Sequence, residues 1–213
     1  MKEQSYKVKE IFGPTIQGEG SYAGAVVRFL RLSGCNRWSG RPEDKAKSQC
    51  PFCDTDFLGG DMMTSKEIVS ALADLHPNTT WQNVVISGGE PALQISEELL
   101  QTLSENGYKI HVETNGSVRI PATHHVHHLT MSPKQPLQDT KLPWCHDLKL
   151  LWPPQHPEIT PESFSRFDFR KAAYLQPVMD ENYKHNLASA IEKLYTLPGW
   201  KLSLQLHKIL EVR

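Results

Sequence analysis

Apolar residues gather in short, near-continuous runs at 26–32, 84–87, 109–113, 129–132, 148–151, 173–176 and 202–206, most of them bounded by Gly, Pro, Asn or Asp. Runs of this length without strict alternation fit strands buried on both faces. Helical spacing lies between several of them. Thr64 and Glu67 form a capping-box pattern ahead of Ile68, Val69, Leu72 and Leu75. Ser96 precedes Leu99, Leu100 and Leu103, with Gly107 placed to stop that helix. Asn182 can start a third, with Leu187, Ile191 and Leu194 at helical spacing. This alternation predicts an α/β fold with parallel strands, open or curled into a partial (incomplete) βα barrel whose site lies at the C-terminal strand ends. The loops 33–56, 88–94, 114–117, 132–135 and 177–183 then share one rim. Residues 135–161 are rich in Pro and predict short helices or none. No internal repeat or linker interrupts the chain, so a single domain over 1–213 is expected.

Composition narrows the function. Over 213 residues the net charge is −1, so no strong field favours nucleic acid or an acidic membrane surface. The opening MKEQSYKVKEIF lacks an apolar signal core and no membrane-length apolar run occurs, which predicts a cytoplasmic protein. In a reducing compartment the four cysteines read as metal or redox ligands rather than disulfides.

Three of them, Cys35, Cys50 and Cys53, lie in one loop after the first apolar run, and CPFCDTD holds the last two. Structural zinc needs four ligands, and neither Cys145 nor a histidine stands at finger spacing to complete the set. A thioredoxin-like pair would need no Cys35. A [4Fe–4S] cluster on three thiolates leaves one iron open for a ligand. On the cysteines alone, zinc and a cluster stand level. Residues 40–49 read as a solvated loop, Trp38 as a packing residue and Cys145 as a buried thiol. The HHVHH run of His124, His125, His127 and His128 reads as a polar approach to a strand.

Two other rim loops add weight to the cluster. SGGEP, from Ser87, combines close backbone approach with an acid at a strand end; ETNGS, from Glu113, ends a strand in hydrogen-bonding groups. Each alone is an ordinary turn.

With these motifs in order, the chain resembles the radical S-adenosylmethionine superfamily, and within it the 7-carboxy-7-deazaguanine synthase family. The resemblance runs through KEIFGPTIQGEG, RLSGCNRWSG, CPFCDTDF, GGEP, ETNGS, SPK, LQP and SLQLHK, nearly the whole chain. The superfamily's usual CxxxCxxC is expanded between Cys35 and Cys50, and that expansion occurs in this family. The resemblance implies a radical SAM core and a lyase that converts 6-carboxy-5,6,7,8-tetrahydropterin to 7-carboxy-7-deazaguanine with loss of ammonia, in 7-deazapurine (queuosine) biosynthesis. It implies a [4Fe–4S] cluster, S-adenosyl-L-methionine and Mg²⁺, an electron donor such as flavodoxin, and a homodimer. No side chain is implied as an acid–base catalyst, because the cofactor carries the hard step.

Residue by residue, the resemblance makes Cys35, Cys50 and Cys53 cluster ligands and Thr55 an oxygen ligand to Mg²⁺. Phe52, Cys53, Asp54 and Gly89 would border S-adenosylmethionine, with Ser132, Pro133, Lys134 and Gln176 at its other end. Ile16, Gln17, Gly18, Glu19, Arg31, Ser87, Glu113, His207 and the terminal Arg213 would take the pterin. Glu19 and Glu113 suit a guanidine-like edge, and Arg31 a carboxylate; Arg28, on the opposite strand face, is the lesser partner. A core histidine is the plain alternative for His207. A glycyl-radical activating enzyme shares the cysteine loop and GGEP, and a zinc-stabilised binding module is the rival from another class. TIQGEG and LHK favour a small substrate over the activating enzyme, and a zinc module has no reason to pair the cysteine loop with GGEP and ETNGS on one rim.

Overall fold

The computed structural model describes residues 3–76 and 81–212; Arg213, expected at the substrate, lies outside the described residues. In chain order the elements are β1 (Ser5–Ile16), β2 (Val26–Leu32), α1 (Pro42–Lys45), β3 (Asp61–Thr64), α2 (Ser65–Asp74), β4 (Asn83–Gly88), α3 (Glu97–Glu105), β5 (Lys109–Thr114), β6 (Val126–Met131), β7 (Trp144–Trp152), β8 (Asp168–Pro177), α4 (Tyr183–Leu194), β9 (Trp200–Leu202) and α5 (Leu206–Ile209). The strand order is β3-β1-β2-β4-β5-β6-β7-β8-β9, a linear order that begins and ends on different strands and so does not close. The expected α/β fold with an open, mostly parallel sheet is present. The chain divides into two compact units, the first containing Val26–Glu113 and Ile120–His128 with the strand before Ile16, the second containing Ile16–Ala25, Thr114–Arg119 and the residues from Leu129 onward.

In the first unit β2 runs parallel to β4, with Arg31 beside Ser87 and Leu32 beside Gly88, and β4 runs parallel to β5. Val84, Val85 and Ile86 are all fully buried, and burial of three successive residues requires cover on both faces of the strand. α2 and α3 pack on each other and bury Ile68, Leu72, Leu99, Leu100 and Leu103. Both helix starts follow the sequence. Thr64 accepts the Glu67 N–H while the Glu67 carboxylate accepts the Thr64 N–H at 2.7 Å. Ser96 Oγ accepts the Leu99 N–H at 3.2 Å and lies 2.5 Å from the Tyr6 hydroxyl. Gly107, at φ +82°, follows α3 in the left-handed conformation that glycine tolerates. The pattern missed β1 and the antiparallel β3 beside it, because Lys7 and Lys9 break the apolar run between the buried Tyr6, Val8 and Phe12.

In the second unit β6, β7, β8 and β9 are mutually parallel in sequence order, and α4 packs against β7, β8 and β9. Two expectations change here. The run at 202–206 is not one strand: β9 stops at Leu202 and Leu206 opens α5. The Pro-rich stretch keeps to its expectation, with one short helical turn at Leu137–Asp139, and the strand expected at 148–151 lies within it as β7. In α4 the fully buried positions are Asn186 and Ala190, while Leu187, Ile191 and Leu194 are half-buried. Asn186 is tolerated inside because its amide donates to the Val178 carbonyl at 2.9 Å and to Asp180 Oδ1 at 3.0 Å.

The histidine run only partly precedes a strand: His127 and His128 belong to β6, His127 Nδ1 accepts the Ile110 N–H at 3.2 Å, and the buried His128 ring lies 5.7 Å from that of His111. Cys145 is fully buried, and burial pushes its thiol up. Among the described residues no helix is long and apolar enough to cross a membrane. Replacing Thr64 by Ala removes the cap of α2 and should cost about 1 kcal/mol in urea unfolding; an unchanged midpoint would show the capping box contributes nothing here.

Candidate active site

The cysteine loop belongs to the first unit and leaves the C-terminal end of β2. None of Cys35, Cys50 and Cys53 is in a disulfide; Cys50 is buried and the other two are half-buried. A turn joins the last two, the Cys53 N–H donating to the Cys50 carbonyl at 3.0 Å. Burial pushes the Cys35 thiol up, against backbone N–H donors from Arg37 and Trp38, and the nearby Glu90 and Cys53 add to the rise. A neutral thiol there becomes a thiolate when a bound cation compensates the charge. Among the described residues no three His, Cys, Asp or Glu side chains are gathered tightly enough to hold one metal ion. Three thiols on one loop match in chemistry and number the thiolates of a [4Fe–4S] cluster that leaves one iron open.

The insert after Cys35 carries one helical turn, α1, rather than loop alone, and Trp38 packs edge-on against the buried Phe57 with ring centroids 5.5 Å apart. Backbone hydrogen bonds fasten the GGEP turn after β4 to the cysteine loop. The Gly89 N–H donates to the Leu32 carbonyl at 3.3 Å and the Glu90 N–H to the Gly34 carbonyl at 2.9 Å. A Cβ on Gly89 would fall 2.0 Å from the Gly34 oxygen and 2.9 Å from the Cys35 Cβ, so only glycine lets the two turns meet. Glu90 is fully buried and accepts the Ala92 N–H at 3.0 Å, which holds the turn.

Phe52 and Thr55 are half-buried and Asp54 exposed; Thr55 Oγ1 lies 3.5 Å from Asp54 Oδ1, a pair of hard oxygens of the kind magnesium takes. Arg31 is already engaged: its Nη1 donates to Glu10 Oε1 at 2.7 Å and its guanidinium lies over the Phe12 ring at 5.1 Å. Ser87 and Glu113 end β4 and β5 half-buried. Arg28 is the buried arginine of β2 and donates to the carbonyls of Trp81 and His76.

In the second unit the expected substrate residues of TIQGEG meet a partner set that sequence reasoning missed. Glu19 Oε2 accepts from Lys149 of β7, and Glu19 Oε1 accepts from Gln176 of β8 at 3.1 Å and from Gln205 at 2.9 Å. Burial raises the Glu19 carboxyl, but the Lys149 charge and hydrogen bond, the Gln205 donor and the His207 charge outweigh it and lower it from 4.5 to about 2. Gln17 and Gly18 are buried. The Gly18 carbonyl accepts the Leu206 N–H at 3.0 Å, and a Cβ on Gly18 would fall 2.1 Å from His207 Nδ1. TIQGEG and SLQLHK are thus brought together, and His207 is half-buried rather than a core histidine. Gln176 is held by Ser203 Oγ at 2.9 Å as well as by Glu19. The Ser132, Pro133, Lys134 turn folds on itself, Lys134 Nζ donating to the Ser132 carbonyl at 2.7 Å and lying 2.8 Å from its hydroxyl. It is tied to the ETNGS turn through the Ser132 N–H and the Thr114 carbonyl at 2.8 Å. Ile16 is half-buried at the end of β1. The missed residues Asp147 and Lys149 had a signal, two charges interrupting the apolar DLKLLW.

No family model matches the chain. It is 40% identical to the 7-carboxy-7-deazaguanine synthase of Caulobacter vibrioides, over 97% of this chain and 98% of that protein. It is likewise 40% identical to the one of Bradyrhizobium diazoefficiens, over 98% of this chain and 100% of the other. The chain belongs to the 7-carboxy-7-deazaguanine synthase family. A solved structure described as the crystal structure of QueE from Escherichia coli has the same fold, with a TM-score of 0.69 at 22% identity over 94% of each chain. As a member of the 7-carboxy-7-deazaguanine synthases the chain is a radical S-adenosylmethionine enzyme with a role in deazapurine biosynthesis, which sets aside the zinc-stabilised module and the glycyl-radical activating enzyme.

Two measurements bear on this geometry. Gly89→Ala forces the GGEP turn off the cysteine loop. It should cost about 1–3 kcal/mol and lower the iron retained on reconstitution; wild-type iron content and stability would mean the contact yields easily. Because the Glu19 carboxyl is depressed, its stabilising contribution is complete above pH 4.5 and is lost as pH falls toward about 2. The stability difference between wild type and Glu19→Gln should shrink across that window, and a pH-independent difference would refute the assignment.

Proposed function

We propose that the chain converts 6-carboxy-5,6,7,8-tetrahydropterin to 7-carboxy-7-deazaguanine with loss of ammonia, as one radical SAM domain over residues 1–213. The observation that carries this reading is the set of three cysteines on the loop after β2, none in a disulfide, with the Gly89 turn packed against that loop. The two relatives, both 7-carboxy-7-deazaguanine synthases, support the same product.

Cys35, Cys50 and Cys53 would hold a [4Fe–4S] cluster, and Phe52, Cys53, Asp54 and Gly89 would border S-adenosylmethionine, with Ser132, Pro133, Lys134 and Gln176 toward its other end. When bound, cluster and S-adenosylmethionine supply the carbon-centred radical that abstracts hydrogen from the substrate. The chain's own residues bind and orient. Glu19 and Glu113 accept the paired N–H groups of the 2-amino-pyrimidinone edge. Ile16, Gln17, Gly18, Ser87 and His207 supply further hydrogen bonds. Arg31 takes the substrate carboxylate, for which it must exchange part of its bond to Glu10. Thr55, with the Asp54 oxygen beside it, offers a hard-oxygen position to Mg²⁺. A flavodoxin-type donor, a homodimer and a cytoplasmic location complete the proposal.

Anaerobic incubation of reconstituted protein with dithionite, S-adenosylmethionine, Mg²⁺ and the pterin should give 7-carboxy-7-deazaguanine by mass spectrometry. Cys50→Ala should lose both the brown chromophore and that product. Slow release of 5′-deoxyadenosine without the deazapurine would discard the pterin as substrate, and an unchanged Cys50→Ala would discard the cluster ligands.

A further inference from the structure

Asp147 and Lys149 stand two residues apart on β7 and so project to the same face of the strand. Both are buried, 0% and 5% exposed, and both grip one short segment. Asp147 Oδ2 accepts the Ser21 N–H at 2.9 Å, and Oδ1 accepts the Ser21 hydroxyl at 2.8 Å, which itself lies 3.0 Å from the Tyr174 hydroxyl. Lys149 donates to Glu19. Between the two, Gly20 at φ +62° donates its N–H to Ser203 Oγ at 3.1 Å, and a Cβ there would come within 3.1 Å of Asp147 Oδ2. The turn from Glu19 to Ser21 is thus hung on one anion and one cation of a single strand. Stability alone does not ask for this, since well-packed apolar residues commonly serve as well as a buried ion pair. A fixed place for the Glu19 carboxylate does.

We infer that Asp147 and Lys149 are positioning residues for substrate recognition: Asp147 sets where the Glu19–Ser21 turn lies, and Lys149 supplies the counter-charge that lets Glu19 present acceptor oxygens to a ligand with paired N–H donors. The inference rests on the reading that Glu19 takes the pterin edge. Around Glu19 the charged and titratable groups are Lys149 from β7, His207 from α5, and Lys208, which reaches it through Gln205 at 3.1 Å; Asp147 and Tyr174 face Ser21. Of these, Lys149 contributes most against burial. Without its charge burial dominates and the carboxyl moves up, so that a proton occupies the acceptor.

The test is equilibrium binding of 6-carboxytetrahydropterin to reconstituted holoenzyme with S-adenosylmethionine and no reductant, followed from about pH 6 to about pH 8.5, where a buried carboxyl can titrate. Lys149→Met is compared with Lys149→Gln, which keeps a donor of similar reach and covers a failure of the first to fold, and with Lys149→Arg. The substrate's own titration is common to all four proteins and cancels. Wild type and Lys149→Arg should give parallel profiles. The neutral variants should bind at least about tenfold more weakly near pH 6 and recover as pH rises, with the loss in KM rather than kcat after reduction. Parallel profiles for all four proteins overturn the inference. So does a loss that is uniform in pH and not rescued by Arg, which marks a purely structural lysine. Failure of wild type to bind the pterin overturns the substrate reading and the inference with it, and is distinguishable because it shows before any variant is compared.

Discussion

A carboxylate kept charged below the surface is the constraint on which the second unit is organised. Burial by itself pushes the Glu19 carboxyl up, toward the protonated form, and a protonated acid presents one acceptor fewer and a donor in the wrong place. The remedy is expensive in a core: a lysine on β7 that is only 5% exposed, two glutamine amides from β8 and from the segment before α5, and an imidazole close by. These groups come from distant parts of the chain, and each is held in turn. Ser203 bonds Gln176, Lys208 bonds Gln205, and Asp147 bonds the turn that carries Glu19. The parallel strands β7 and β8 can offer such groups side by side because their register sets Lys149 opposite Tyr174 and Leu151 opposite Gln176.

The first unit solves a different problem. Three cysteines must lie on one loop outside any disulfide, and that loop must be held against the GGEP turn. Backbone does this. The carbonyls of Leu32 and Gly34 accept the N–H groups of Gly89 and Glu90, and the missing side chain at Gly89 sets how closely the turns approach. Packing of Trp38 on Phe57 anchors the start of the insert, leaving α1 exposed. The thiol loop, the GGEP turn and the Ser132–Lys134 turn follow the C-terminal ends of β2, β4 and β6, where strand–helix alternation places such loops, whereas TIQGEG follows β1, which is antiparallel to β3.

Much of this was legible along the chain. Residues 26–32 coincide with β2, the caps at Thr64 and Ser96 form as their patterns require, and the thiol loop and GGEP motif fall directly after β2 and β4. Such features are local: a run buried on both faces, or a side chain bonding an amide three residues on, is decided within a few residues. β1 escaped notice because its lysines occupy the exposed positions of an alternating strand, and the start of α5 was taken for strand because a short apolar run carries no period of its own.

What the sequence by itself determined was the order of elements, the class of chemistry and the family, since motifs in order identify a family whatever their distances. What only the tertiary structure decided was partnership. It gave Glu19 its lysine and its two amides, set His207 against Gly18, and bonded Arg31 to Glu10. Electrostatic and hydrogen-bond energies fall off over a few ångströms in space and are indifferent to separation along the chain. Lys149 lies 130 residues from Glu19, and no spacing rule connects them until the strands are in register.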